Sequence, residues 1–337
     1  MNFEIEIIKG QVVADIINAK LTTCVDVVRR AYLAHGARDS VNPPSYFLNF
    51  PKKTNARIIA LPAYLGGGFD VSGLKWIASY PDNVKKGFPR ASAVLILNDC
   101  ETGYPFAILE ASIISAARTA ASAVLAAEWL NKGSRKAKCL GLVGNGLISR
   151  YLYNFFINSG WQFDEVRLFD LNPAESARFA ATVCSPTRHQ KILVSKSAAE
   201  LFAASDVVGL ATIAATAHLE DPQLLAHRPL VLHLSLRDLS PELILNSNNV
   251  VDDVEHVMKA STSVHLAEQK VGHRRFVNGT LSELMEGKCT LDPSRATVFS
   301  PFGLGVLDLA VGKWVYDEAR AAGKGLRLGD FFYELSR

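Results

Sequence analysis

The stretch Lys138-Cys139-Leu140-Gly141-Leu142-Val143-Gly144-Asn145-Gly146-Leu147-Ile148-Ser149 decides the fold. A short apolar run enters a glycine turn, and a helix with apolar positions at 147, 148, 151, 152, 155 and 156 leaves it. Further on, Glu165-Val166-Arg167-Leu168-Phe169-Asp170 reads as a second strand ending in an acid. That order is a dinucleotide-binding βαβ unit. Gly144 permits the tight turn, and Gly146 lets the backbone approach a pyrophosphate. The amides of Asn145, Gly146, Leu147 and Ile148 at the helix start meet its negative charge. Asp170 stands where a carboxylate accepts hydrogen bonds from the adenosine ribose and repels a 2′-phosphate, so the expected cofactor is NAD rather than NADP. The third glycine of the pattern is replaced by Ser149. Glycines at this spacing also occur in ordinary strand–turn–helix units; the flanking strand, helix and later acid favour the nucleotide reading.

The chain of 337 residues is long enough for two domains. It is 49% hydrophobic and 20% charged, the composition of a globular protein with substantial cores. A net charge of +3 argues for neither a nucleic-acid partner nor a membrane surface. The start, Met1-Asn2-Phe3-Glu4-Ile5-Glu6, alternates acids with apolar residues and lacks the basic and apolar regions of a signal peptide. No apolar stretch reads as a membrane span. Cys24, Cys100, Cys139, Cys184 and Cys289 are scattered, without a CxxC pair, and read as free thiols in a reducing cytoplasm.

Helical spacing of Leu21, Val25, Val28 and Tyr32 predicts a helix over 21–35. Between 45 and 110 the pattern changes to short β-rich runs separated by Asn98-Asp99 and Thr102-Gly103 turns, an antiparallel layer. An Ala-rich helix covers 112–131. Strands at 138–143, 165–170, 191–194, 206–212, 229–235, 249–252 and 297–300 then alternate with helices, which predicts a doubly covered parallel sheet. The helix over 303–322 is expected to return to the first domain. The expected architecture is α/β: a Rossmann-type nucleotide domain over 118–302, inserted in an α+β substrate-binding and dimerisation domain formed by 1–117 and 303–337.

Motifs outside the glycine turn are distinctive: Leu61-Pro62-Ala63-Tyr64-Leu65-Gly66-Gly67, Gly73-Leu74-Lys75-Trp76, Leu95-Ile96-Leu97-Asn98-Asp99, Arg118-Thr119-Ala120-Ala121 and Gly303-Leu304-Gly305-Val306-Leu307-Asp308-Leu309-Ala310. With them the chain resembles the ornithine cyclodeaminase/μ-crystallin family over nearly its whole length. Lys75 to Ser79, Asp82-Asn83, Arg90-Ala91-Ser92 and Glu110 to Ser115 resemble the diaminopropionate-forming branch of that family. The resemblance implies NAD-dependent oxidation of a secondary amine, glutamate whose nitrogen carries a 2-amino-2-carboxyethyl group. Imine hydrolysis then yields 2-oxoglutarate and L-2,3-diaminopropionate, a precursor of siderophores and nonribosomal peptides. It also implies a homodimer formed through the strand layer.

The resemblance assigns roles residue by residue. Lys75 faces the substrate carboxylate and amine as a charge partner or catalytic proton donor, and the planar guanidinium of Arg118 binds both oxygens of that carboxylate. Thr119 meets cofactor phosphate, Thr212 lies near the cofactor, and Asp238 is the catalytic acid. Lys75, Arg118, Thr212 and Asp238 also have plain readings: a snorkelling lysine, an interdomain salt bridge, a polar strand end, and an N-cap ahead of Ser240-Pro241-Glu242. Arg90 matches the branch, and Arg90 or Arg237 is a candidate for an additional carboxylate of the tricarboxylate substrate. Asn42-Pro43-Pro44-Ser45-Tyr46-Phe47 lacks the arginine that many cyclodeaminases carry there, which disfavours true ornithine cyclodeamination. His218, His227 and His233 form no recognisable ligand set, so no metal is expected. The competing readings are a cyclodeaminase or imine reductase, and a non-catalytic dinucleotide binder.

Overall fold

The computed structural model describes residues 4–333. The chain divides into two compact units, Met1–Arg118 with Leu304–Arg337, and Thr119–Gly303.

The first unit contains β1 (Ile5–Ile8), α1 (Gly10–Ala19), α2 (Leu21–Gly36), β2 (Ser40–Val41), β3 (Tyr46–Phe50), β4 (Lys53–Leu65), β5 (Val71–Ser79), β6 (Ala91–Asp99) and β7 (Pro105–Glu110). Among the described residues its sheet has eight strands in the order Leu326–Leu328, β1, β7, β6, β5, β4, β2, with β3 also paired to β4. Among the described residues only the β1–β7 pair is parallel in this sheet. The short β-rich runs seen in the sequence extend into long hairpin strands, and Leu74 to Ile77 is the middle of β5. Alternation sets the faces: Leu95 and Leu97 are buried, while Val94 and Trp76, paired across β5 and β6, are exposed. The inner face packs on the closing helix Gly305–Ala321. Gly312 makes that approach possible, because a Cβ there would meet Leu95 Cδ2 at 2.1 Å.

The chain leaves this unit along α3 (Ser112–Leu130). This helix corrects one expectation, since by length and a mean hydropathy of 1.2 it could cross a bilayer. Its alanines at 116, 117, 120, 121 and 123 are buried inside the protein, as in a core helix.

The second unit contains β8 (Lys136–Val143), α4 (Leu147–Asn158), β9 (Gln162–Phe169), α5 (Pro173–Thr182), β10 (Lys191–Val194), α6 (Ala198–Ala204), β11 (Val207–Leu210), β12 (Leu230–His233), β13 (Asn248–Val251), β14 (Val277–Thr280) and β15 (Thr297–Ser300). The strands form one parallel sheet in the order β10-β9-β8-β11-β12-β15-β13-β14. Val143, Leu210, Val231, Val251 and Val298 belong to one buried cluster, the apolar strand interior expected of a sheet covered on both faces. β8 is the switch point, with β9 on one side and β11 on the other, so ligands are expected at the carboxyl ends of these strands. β11 and β12 end earlier than the sequence predicts, because Leu234 and Ser235 turn back to donate to the Leu210 carbonyl. β14 was not anticipated.

Candidate active site

In the second unit the glycine turn is a braced structure. Gly144 has φ +80°, and a Cβ there would lie 2.6 Å from the Ala211 carbonyl oxygen, so the position demands glycine. The side chain of Asn145 is buried: Nδ2 donates to the Leu142 carbonyl at 3.0 Å and Oδ1 accepts from Ser176 Oγ at 2.7 Å. The Asn145 side chain is thus a strut of the turn, which leaves its main chain as the part of the residue that lies in the turn. That main-chain N–H donates to Asp170 Oδ2 at 2.8 Å, while Asp170 Oδ1 accepts from Asn172 N–H at 2.9 Å. The acid at the end of β9 therefore holds the turn and keeps lone pairs for a ribose. Ser149 is buried, and its hydroxyl donates to the Gly144 carbonyl, so the residue in place of the third glycine closes the turn from below.

These residues fit a dinucleotide. A Cβ on Gly146 would meet nothing within 4 Å, and α4 begins without a capping side chain, so its first amides point outward unclaimed by a cap. A cavity of about 190 Å³ beside Gly146 and Leu147 is edged by Arg150 and Arg178. Leu147 is exposed and Ile148 half-buried.

Asp238 lies past the end of β12, and its side chain is 0% exposed. Its Oδ1 accepts from Thr212 Oγ1 and faces His218 Nε2 at 3.1 Å. Its Oδ2 accepts from Ser235 Oγ and faces His233 Nε2 at 3.3 Å. His233 Nε2 also lies 3.1 Å from the main-chain N–H of Asp238, and one tautomer serves only one of these contacts. Burial raises the carboxyl pKa, but the donors, His233, Ser235 and Thr212, outweigh it and hold Asp238 well below the usual carboxylate range. The N-cap reading of Asp238 is displaced, since Ser240 caps the next helix by accepting from Leu243 N–H. The sequence weighs His218 and His233 only as metal ligands, and Ser235 carries no signal there. Arg237 donates from Nε and Nη2 to the Ala260 carbonyl, which ties it to a loop of its own unit.

In the first unit, Lys75 on β5 is buried and donates from Nζ to Asp308 Oδ2 at 2.6 Å and to Ser115 Oγ at 3.2 Å. Arg118 Nε lies 3.3 Å from Asp308 Oδ1. Asp308, fully buried in the first turn of the closing helix, thus serves two cations; the sequence reading had passed over it. Burial pulls the Lys75 pKa down to about 8, against the opposing pull of Asp308, with Arg118 lowering it further. Arg90 is exposed and donates from Nη1 to Ser79 Oγ at 2.8 Å. Ser79 pairs across the sheet with Arg57, whose Nε is buried without a hydrogen-bond partner. Thr119 is half-buried on α3. Among the described residues no cluster of three or more His, Cys, Asp or Glu side chains could hold a metal ion.

The sequence profile described as the ornithine cyclodeaminase/mu-crystallin family matches residues 11–323. The chain belongs to that family. Within it, N-((2S)-2-amino-2-carboxyethyl)-L-glutamate dehydrogenase of Staphylococcus aureus is 29% identical over 312 residues, covering 90% of this chain and 92% of the relative. Alanine dehydrogenase of Archaeoglobus fulgidus is 26% identical, covering 91% and 93%. The solved structure of Thermococcus litoralis delta(1)-pyrroline-2-carboxylate reductase, a complex with NADH and L-proline, superposes with a TM-score of 0.86 at 24% identity, covering 96% of this chain and 99% of that one. The fold is that of these family members.

Proposed function

We propose that this protein is an NAD-dependent oxidoreductase acting on the CH–NH group of an amino acid, and that its substrate is N-(2-amino-2-carboxyethyl)-L-glutamate. The observation that carries the reading is the pairing, within the second unit, of a nucleotide turn braced by Asp170 with a buried, donor-held carboxylate at Asp238. A protein that only bound dinucleotide would not need the second feature. The relative in Staphylococcus aureus supports this choice of substrate. The alanine dehydrogenase and pyrroline-carboxylate reductase relatives support amino-acid C–N redox chemistry more broadly.

In this reading Gly144, Gly146, Leu147, Ile148 and the Asn145 main chain hold the pyrophosphate, Asp170 takes the ribose, and Thr119 and Thr212 complete the cofactor site. NAD, when bound there, would supply the acceptor for the hydride of the glutamate Cα. Lys75 and Arg118 recognise the substrate carboxylate, with Asp308 setting their geometry. Arg90, and Arg57 beside it, meet an additional carboxylate. Water then adds to the imine carbon near Asp238, and the C–N bond breaks to give 2-oxoglutarate and L-2,3-diaminopropionate. We further propose a cytoplasmic homodimer joined through the exposed sheet face around Trp76 and Val94, serving siderophore or peptide natural-product synthesis.

The test is NADH absorbance after mixing protein, NAD and the tricarboxylate, with ornithine in a parallel cuvette. NADH with 2-oxoglutarate from the first substrate alone supports the reading. Proline and ammonia from ornithine without net NADH would replace it with cyclodeamination.

A further inference from the structure

Asp238 cannot meet a substrate as it stands. Its side chain has no exposed surface, and both oxygens are engaged by hydroxyl donors from Thr212 and Ser235. A carboxylate held so firmly ionised is also a weak proton acceptor. The group that joins Asp238 to solvent is His218, whose side chain is 42% exposed and whose Nε2 lies 3.1 Å from Oδ1. The loop that carries it is docked on the same residue. The main-chain N–H groups of His218 and Leu219 both donate to the Asp238 carbonyl, at 3.0 and 2.9 Å, and Leu219 bridges Leu239. At the other end of the loop, Thr212 Oγ1 accepts from Ala214 N–H at 3.1 Å while donating to Asp238. The ring is thus aimed from two directions, and Nδ1 is the nitrogen turned away from the carboxylate.

We propose that His218 is the proton-carrying catalytic residue of this site and that Asp238 is its positioning residue. Resting on the amine-oxidation reading above, the proposal assigns the hydrolytic half of the reaction. Hydride loss from the secondary amine leaves an iminium carbon. A water oxygen bonds to that carbon as its proton passes to His218 Nδ1. The proton is then given to nitrogen, the hydroxyl proton leaves as the C–N bond breaks, and a ketone and a primary amine separate. One proton is released per hydride transferred. Asp238, accepting from Nε2–H, fixes the tautomer that leaves Nδ1 basic, the division of labour of an Asp–His pair in acyl transfer.

The decisive experiment compares His218→Ala, His218→Gln, Asp238→Asn and the double variant His218→Ala/Asp238→Asn, all loaded with NAD. His218→Ala is expected to lower kcat about 100- to 1,000-fold while NAD affinity and substrate KM stay within about 3-fold. Added imidazole is expected to restore part of the lost rate in His218→Ala and none in His218→Gln, whose amide fills the space. The double variant should be no slower than the worse single one, because the two residues act as a unit. Wild-type kcat in His218→Ala, multiplicative losses in the double variant, or a loss that imidazole leaves untouched would each overturn the proposal. If wild-type protein is silent on the tricarboxylate, the substrate reading fails. The same variants are then run on alanine, whose oxidation also ends in imine hydrolysis, where an unaltered His218→Ala overturns the His218 role independently. Silence on both substrates overturns both.

Discussion

Replacing Asp308 by Asn tests the charge balance of the first unit most sharply. Asp308 is fully buried between Lys75 Nζ at 2.6 Å and Arg118 Nε at 3.3 Å. The change keeps the shape and removes the only negative charge in this buried trio, leaving two cations facing a neutral amide. Breaking a buried pair in this way costs about 3–5 kcal/mol. Part of the cost depends on pH in a defined way. The Lys75 pKa is lowered from 10.5 to about 8, so between those values the unfolded chain holds a proton that the folded chain has released. Wild-type stability from this group therefore rises with pH through that window. Without Asp308 the lysine loses the partner that raises its pKa and becomes neutral at pH 7. Since pH 7 is one unit below its wild-type value, that neutralisation accounts for about 1.4 kcal/mol. Near pH 9 Lys75 is neutral in both proteins, and this share of the difference vanishes. Urea unfolding of wild type and Asp308→Asn at pH 7 and pH 9 measures both parts. The expected result is a loss of about 3–5 kcal/mol at pH 7 that shrinks by roughly 1 kcal/mol at pH 9. A loss below about 1 kcal/mol at pH 7, or one that grows with pH, would refute the reasoning.

Three further outcomes are expected. Asp170→Ser should raise the Kd for NAD and narrow the gap between NAD and NADP, read by NADH and NADPH fluorescence titration; an unchanged preference would remove Asp170 from the ribose site. Gly144→Ala should destabilise the second unit by about 1–3 kcal/mol in denaturant titrations, because φ +80° and the Ala211 carbonyl both oppose a Cβ. Trp76→Glu with Val94→Glu should turn a dimer into a monomer in sedimentation without loss of secondary structure, and an assembly state untouched by the pair would discard the sheet-face interface.

The nucleotide unit was legible because its signals are local. The strand, glycine turn, helix and acid of 138–170 lie within one segment, and periodicity reports each of them. β14 escaped because Val277-Asn278-Gly279-Thr280 is an edge strand with a single apolar residue. The strut made by the Asn145 side chain was not legible, because a turn motif states where the backbone goes and says nothing about which way a side chain points. Asp308 carries the same signal as Arg118, a charge inside an apolar helix, but its partners Lys75 and Arg118 lie 233 and 190 residues away, beyond the reach of any local pattern. The set around Asp238 was illegible for a different reason. Thr212, His218, His233 and Ser235 meet at one carboxylate only after three segments converge, and no spacing in the sequence encodes that meeting.

Asp308 also gives the chain a timetable. Lys75 and Arg118 emerge early in synthesis, but their shared counter-charge lies roughly 190 residues further on, about 10–40 s later at ordinary elongation rates. Throughout that interval the nascent first unit lacks the carboxylate that Lys75 and Arg118 share, whereas every strand of the second unit precedes Asp308 in the chain. The inserted unit therefore has all of its strands before the first unit receives its closing helix and the strand Leu326–Leu328 that follows it.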